Sequence, residues 1–229
     1  MDAAEKTLAI LDALAVRDNG ADRLADIAAR AGVARSTAHR ILQRLVERGY
    51  ARAEGDGRYV PGARVLALAG EALRELDRGR VMPILEALRD DVGHTVHLAL
   101  LTGAEATYVE KLEARDSGYQ MASRVGMRLA LHTTAIGKSI LAALPDDRRL
   151  AASERRQIRE RGYALDDQEN ERNVRCVGAA VLDERGLPIG AVSVSALTLD
   201  LALDDVPAIG ARVAAAAREL SRGSAIGAR

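Results

Sequence analysis

Ser36, His39, Arg40 and Gln43 recur at helical spacing, with Arg35, Thr37 and Arg44 at the edges of the same face. At about 100° per residue, Ala34, Ala38, Ile41, Leu42 and Leu45 fall on the opposite side as one apolar stripe. The polar face therefore carries only donors and cations, without a carboxylate. A helix of this kind fits the major groove of double-stranded DNA, where arginine meets guanine O6 and N7 as a bidentate fork and Ser, Thr or His reaches phosphates and base edges. Arg52 and Arg58 flank Gly55-Asp56-Gly57, a position from which they would touch the adjacent sugar-phosphate backbone, adding affinity with little sequence information. A second group lies far along the chain. Ser193 and Ser195 are two apart on an expected strand, so both hydroxyls share one face, while Val192 and Val194 form a core-facing set on the other. Cys176 leads into the neighbouring candidate strand, and Asp166 and Asp167 sit in an expected loop. His132-Thr133-Thr134-Ala135-Ile136-Gly137 precedes a helix whose first N–H groups suit an anion. Small donors, a helix start and apolar walls describe a pocket for a small carboxylate or phenol.

The elements that must hold these groups can be read from periodicity. Leu8, Leu11, Leu14 and Ala15 mark an amphipathic helix over 2–16, punctuated by Asp18-Asn19-Gly20. A short second helix follows from Leu24 to Gly32, then a third over 35–48. Tyr50–Ala53 and Arg58–Val60 read as a hairpin, completing the layout of a winged helix-turn-helix over 1–62. An uninterrupted helical pattern from Arg64 to Asp77 forms a linker over 63–79. From 80 to 229 the pattern is mixed α+β. It holds a helix over 80–90 broken near Pro83, strands at 95–101 and 107–112, and helices at 135–143 and 154–161. Strands at 177–182 and 191–197 and an Ala-rich helix at 205–221 complete it.

Composition narrows the function. The 229 residues carry 33 basic and 33 acidic side chains, which excludes a tail-driven polycation. Between Arg30 and Arg64, however, eight arginines face only Glu47, Glu54 and Asp56, so the neutral whole conceals a basic end. The absence of Phe and Trp argues against a stacking platform for single strands. One cysteine excludes an intrachain disulfide framework and a multi-cysteine zinc site, and fits a reducing cytoplasm. No apolar run reaches the ~18 residues that span a membrane, and Asp2, Glu5 and Asp12 are foreign to a secretory signal.

Leu24-Ala25-Asp26-Ile27-Ala28, then Ala31-Gly32-Val33-Ala34-Arg35-Ser36-Thr37-Ala38-His39-Arg40-Ile41-Leu42 and Gly57-Arg58-Tyr59-Val60-Pro61-Gly62, resemble the DNA-binding domain of the IclR family of bacterial regulators. The similarity continues through 129–138, 162–166, 175–181 and 189–195. It implies a GAF-like effector-binding domain whose pocket is lined by Ala135, Ile136, Asp166, Cys176, Ser193 and Ser195, with Met121, Leu129 and Val174 as its wall. It also implies a ligand-responsive regulator that binds a DNA operator as a dimer or tetramer. Against the family pattern, the stretch between Pro145 and Gly162 is short, Asn173 stands at a common glycine position, and Ala130 replaces a proline.

Other chemistries are weaker. Ser193 or Ser195 with His132 and Asp166 would make a hydrolase triad, but no Gly-x-Ser-x-Gly elbow accompanies them. His94 and His97, three apart on a strand, point to opposite faces and cannot chelate one metal ion; His97 is expected to pack and His94 to cap the turn at Gly93. Gly137-Lys138-Ser139 lacks the first glycine of a phosphate loop. No cofactor or metal is implied. An adaptor whose helix-turn-helix no longer binds DNA is opposed by the carboxylate-free arginine face.

Overall fold

The computed structural model describes residues 1–15, 21–75, 77–115, 118–119, 121–145 and 147–222, except the side chains of 72–75. The expected punctuation at Asp18-Asn19-Gly20 lies outside the described residues. The chain divides into two compact units, Met1–Arg74 and Glu75–Arg229.

In the first unit, helix α1 (Ala3–Ala15) opens with reciprocal bonds between Asp2 and Glu5, each backbone N–H donating to the other's carboxylate. Strand β1 (Asp22–Arg23) precedes α2 (Leu24–Arg30), and α3 (Arg35–Glu47) follows across a turn in which Gly32 takes a positive φ of 64°. Strands β2 (Ala51–Ala53) and β3 (Arg58–Pro61) form the expected hairpin. β1 was not foreseen; it adds to β3 through Asp22 opposite Tyr59, giving the order β1-β3-β2. Ile10, Leu14, Ile27, Ala38, Leu42 and Tyr59 pack as one core, so the apolar stripe of α3 is spent inward. Helix α4 (Ala63–Glu75) carries the linker pattern.

The second unit begins with α5 (Arg78–Val92), capped by the Asp77 side chain. Pro83 does not break it, contrary to the sequence reading. The proline lies in the second turn, where it costs one backbone hydrogen bond, and Val81, Ile84, Leu85 and Leu88 bury the helix on either side of it. Strands β4 (Thr95–Thr102) and β5 (Glu105–Leu112) form a hairpin, and the short β6 (Arg128–Leu129) joins β5. Then come α6 (Ala135–Ala143), α7 (Ala152–Arg161), β7 (Ala164–Asp167), β8 (Val174–Leu182), β9 (Pro188–Leu197) and α8 (Val206–Ser221). One antiparallel sheet results, in the order β6-β5-β4-β9-β8-β7. Asp166 and Asp167 are thus in a strand rather than a loop, opposite Cys176 and Arg175. Asn173 accepts the left-handed conformation at φ 63°, so the turn into β8 survives without glycine.

Helices α6 and α7 cover one sheet face with Ile136, Ile140, Leu141 and Ile158, while α5 and α8 pack on the other. Both faces of β9 are consequently buried. Val192 and Val194 are fully enclosed as expected, and Ser193 and Ser195 are nearly as inaccessible, at 2% and 4%.

Candidate functional site

The arginine-bearing face of α3 is exposed: Arg35, Ser36, His39, Arg40, Gln43 and Arg44 all meet solvent, and Thr37 is half-buried. Arg44 pairs with Glu47 at 2.8 Å, whereas Arg35 and Arg40 have no ion-pair partner among the described residues. Arg52 pairs with Glu54 in the hairpin, and Arg58 donates to the Ala21 carbonyl at 3.0 Å. Ala34 stands at the helix cap and offers no side-chain acceptor, so the first N–H groups of α3 keep their capacity for an external oxygen. Arg40, Arg44, Arg48 and Lys6 line a cleft of about 550 Å³ between α3 and the start of α1.

In the second unit, register places the polar residues in two neighbouring rows on the face under α6. Asp166 stands opposite Cys176, Cys176 opposite Ser195, and Ser195 opposite Thr95. In the next row Gly178 stands opposite Ser193, Ser193 opposite His97, and His97 opposite Lys111. Alternation along a strand keeps both rows on one side. Val174 shares that side on β8, and Leu129 faces it through its pairing with Ala106.

Gly178 explains how α6 reaches this floor. A Cβ there would lie 2.8–2.9 Å from the Ala135 carbonyl and the Ile136 nitrogen, so only glycine lets the helix start rest on the sheet. Gly137 sits closer still on the Leu131 backbone, where a Cβ would lie 2.2–2.5 Å away. Thr134 caps α6 by accepting from Gly137 N–H at 3.0 Å, leaving the Ala135 and Ile136 N–H groups beside the polar rows. The sequence reading missed Gly178, whose role depends on a helix forty residues away.

Burial is the leading electrostatic influence on this floor. Burial raises the Asp166 carboxyl above its ordinary value, partly offset by N–H donation from Glu169 at 2.8 Å and Asn170 at 3.3 Å. Burial pushes the Cys176 thiol up to about 12 despite a hydrogen bond with Ser195. His97 is held down to about 3, first by burial and then by the Lys111 ammonium. Both lysines of this unit are engaged. Lys138 pairs with Glu154 and Glu169, and Lys111 donates to the carbonyls of Met121 (2.9 Å) and Ser123 (2.8 Å).

The nine residues assigned by resemblance meet around this face. Asp166, Ser193, Ser195, Ala135, Ile136, Leu129, Val174 and Met121 are buried, and Cys176 is partly buried. Met121 and Ser195, with Thr95 and Tyr119, also line a cleft of about 630 Å³ at the sheet end. His132 is exposed while Ser193 is buried, so the hydrolase triad is not assembled. His97 packs as expected, at 1% exposure, and the turn before β4 is closed by left-handed Gly93, whose N–H donates to the Arg89 carbonyl, with no cap from His94 among the described residues. Among the described residues no helix is long and apolar enough to cross a membrane, and no His, Cys, Asp and Glu cluster could hold a metal ion.

Comparison with known proteins agrees with both halves of this architecture. The IclR helix-turn-helix domain matches residues 3–55, and the C-terminal domain of bacterial IclR transcriptional regulators matches 72–156 and 147–222. The HTH-type transcriptional regulator BhcR of Paracoccus denitrificans is 32% identical over 252 residues, covering 97% of this chain and 87% of that protein. The crystal structure of Thermotoga maritima IclR is 31% identical with a TM-score of 0.70, covering 97% of this chain and 98% of that one. An IclR homologue from Microbacterium hydrocarbonoxydans, solved with 4-hydroxybenzoate, shares the fold at 23% identity and a TM-score of 0.77, covering 97% and 100% of the two chains. BhcR is by name a transcriptional regulator of the helix-turn-helix type. The chain belongs to the IclR family.

Proposed function

We propose that this chain is an effector-gated operator-binding regulator that senses a small organic acid or aromatic metabolite. In this reading Arg35, Ser36, Thr37, His39, Arg40, Gln43 and Arg44 enter the major groove, and Arg52 and Arg58 meet the flanking backbone. The uncapped start of α3 supports it, since backbone N–H groups there are suited to a phosphate. The effector seats on the polar rows, its carboxylate at the Ala135 and Ile136 N–H groups and its body against Met121, Leu129 and Val174, within reach of Asp166, Cys176, Ser193 and Ser195. The observation that carries the reading is the Gly178 contact, which brings a helix start onto a floor of small polar side chains. That the Microbacterium homologue holds 4-hydroxybenzoate supports the same ligand class.

Two reading heads are needed for paired half-sites, so the working form is a dimer or tetramer in which α4, with exposed Leu66 and Leu68, packs against a second copy. Ligand binding then biases the spacing of the heads, a coupling of ~1–3 kcal/mol being ordinary. A thermal-shift screen of small acids tests the pocket, because a ligand that favours the native state raises its melting temperature. At least one acid stabilises the protein, and Ser193→Ala with Ser195→Ala abolishes that shift while leaving operator binding intact. A double variant that keeps the full shift overturns the pocket assignment.

A further inference from the structure

Four cations converge on the cleft of about 550 Å³ in the first unit: Lys6 from α1, and Arg40, Arg44 and Arg48 from α3. Among the described residues that line it, Asp2 is the one carboxylate, and it is already engaged at the start of α1 by the Glu5 N–H at 2.9 Å. Arg44 pairs with Glu47, whereas the side chains of Lys6, Arg40 and Arg48 have no hydrogen-bond or ion-pair partner among the described residues. Ile41 and the buried Leu45 close the floor. Charges of one sign over low-dielectric walls focus their field into a cleft, so this surface suits an extended anion. The hairpin arginines are placed differently. Arg52 is held by Glu54 and Arg58 by the Ala21 carbonyl, so part of their capacity is already spent.

Resting on the reading of α3 as the groove-entering helix, we propose that this cleft seats the sugar-phosphate strand at one wall of the major groove, with Lys6 and Arg48 as phosphate contacts outside the recognition face. Ser36, His39, Arg40 and Gln43 define the line that points at the bases. At about 100° per residue, Arg44 stands roughly 80° and Arg48 roughly 120° from Ser36. A helix about 10–12 Å across fills a groove about 12 Å wide, so side chains on its flank meet the wall, which is the sugar-phosphate backbone. Arg40, Arg44 and Arg48 follow one another at about 6 Å along the helix axis and turn from the groove floor towards that wall. α1 borders this flank, and Lys6 extends the row from a second element. Such contacts read no base; they hold the register and add an affinity that salt removes. The larger share of the backbone grip therefore lies beside α1 rather than on the hairpin.

Fluorescence anisotropy of the full chain tests this on two duplexes, one from upstream of its own gene and one of scrambled sequence, between about 50 and 200 mM salt. Lys6→Gln with Arg48→Gln lowers the slope of log affinity against log salt by about 1.8 for each bound head, since every phosphate contact contributes about 0.9. The loss is the same on both duplexes. Arg52→Gln with Arg58→Gln lowers the slope by less than about 0.9. Lys6→Arg with Arg48→Lys, which keeps both charges, retains the wild-type slope. A merely structural role would lower the melting temperature of the glutamine variant and leave its slope alone. An unchanged slope in that variant overturns the proposal and leaves the cleft to another anion, such as an acidic polypeptide. A loss in the hairpin variant as large or larger also overturns it, placing the grip on the hairpin. In both cases α3 still binds DNA. A wild type that binds neither duplex at any salt overturns the groove reading and this inference together.

Discussion

Gly178→Ala is the sharpest perturbation of the proposed ligand floor. The added Cβ would meet the Ala135 carbonyl carbon at 2.8 Å, its oxygen at 2.9 Å and the Ile136 nitrogen at 2.9 Å. Carbon contacts are comfortable at ~3.5–4.0 Å, so the first turn of α6 must lift by several tenths of an ångström. It cannot slide freely, because a Cβ on Gly137 would already lie 2.2 Å from Leu131 Cα, which shows how tightly the helix is seated on that side. Overpacking of this kind costs ~1–3 kcal/mol, offset by the ~0.4–1 kcal/mol that alanine gains by restricting the unfolded chain. The expected net loss is about 1–2 kcal/mol. Urea unfolding followed by far-ultraviolet circular dichroism measures it, the chain having no tryptophan to report. The same displacement moves the Ala135 and Ile136 N–H groups, so effector affinity falls by about ten-fold, one hydrogen bond's worth. Operator affinity without effector stays as it was. A variant with unchanged stability and unchanged effector affinity would refute the claim that α6 is held against the sheet at this glycine.

Three further outcomes are expected. Arg40→Ala weakens operator binding without altering effector binding, and the slope of log affinity against log salt falls by about one if the contact is to a phosphate; an unchanged isotherm contradicts the assignment. His97, held near 3 in the folded chain against an ordinary 6.5, binds fewer protons folded than unfolded, so stability present above pH 6.5 is lost as pH falls towards 3. Between pH 7 and 4, wild type therefore loses on the order of 2–3 kcal/mol more than His97→Gln. Asp166, whose carboxyl is raised, acts in the opposite sense above its ordinary value and cancels in this comparison; parallel pH profiles would show that His97 charges freely in the folded state. Cys176, with its thiol near 12, reacts with iodoacetamide at pH 8 far more slowly than a free thiol, and bound effector slows it further. A rate matching free cysteine would remove Cys176 from the buried floor.

Local pattern made much of this legible before the fold. The apolar stripe of α3 and the Ala135–Ala143 helix each carry their signal within a few turns, and the structure follows the same residues. The alternation of Ser193 and Ser195 placed both on one face, as the register shows. What escaped depends on distant partners. β7 is four residues long, half of them aspartate, and becomes a strand only by pairing with Cys176 and Val177. β1 exists because β3 lies beside it. Pro83 reads as a breaker from its type, yet α5 runs through it from Arg78 to Val92, with Leu85 and Leu88 buried beyond it. His97 reads correctly as a packed residue; that one ring nitrogen is satisfied and the other is not becomes visible only with Ser123 in place.

The central claim is that occupancy of the sheet-face pocket changes how α3 holds DNA. Fluorescence anisotropy of a duplex from upstream of the protein's own gene, titrated with the full chain with and without a saturating stabilising acid, measures this directly. The account predicts salt-sensitive binding whose affinity shifts about 5- to 150-fold with the acid, and no shift in the Ser193→Ala, Ser195→Ala protein. Identical affinities with and without an acid that demonstrably binds would contradict it.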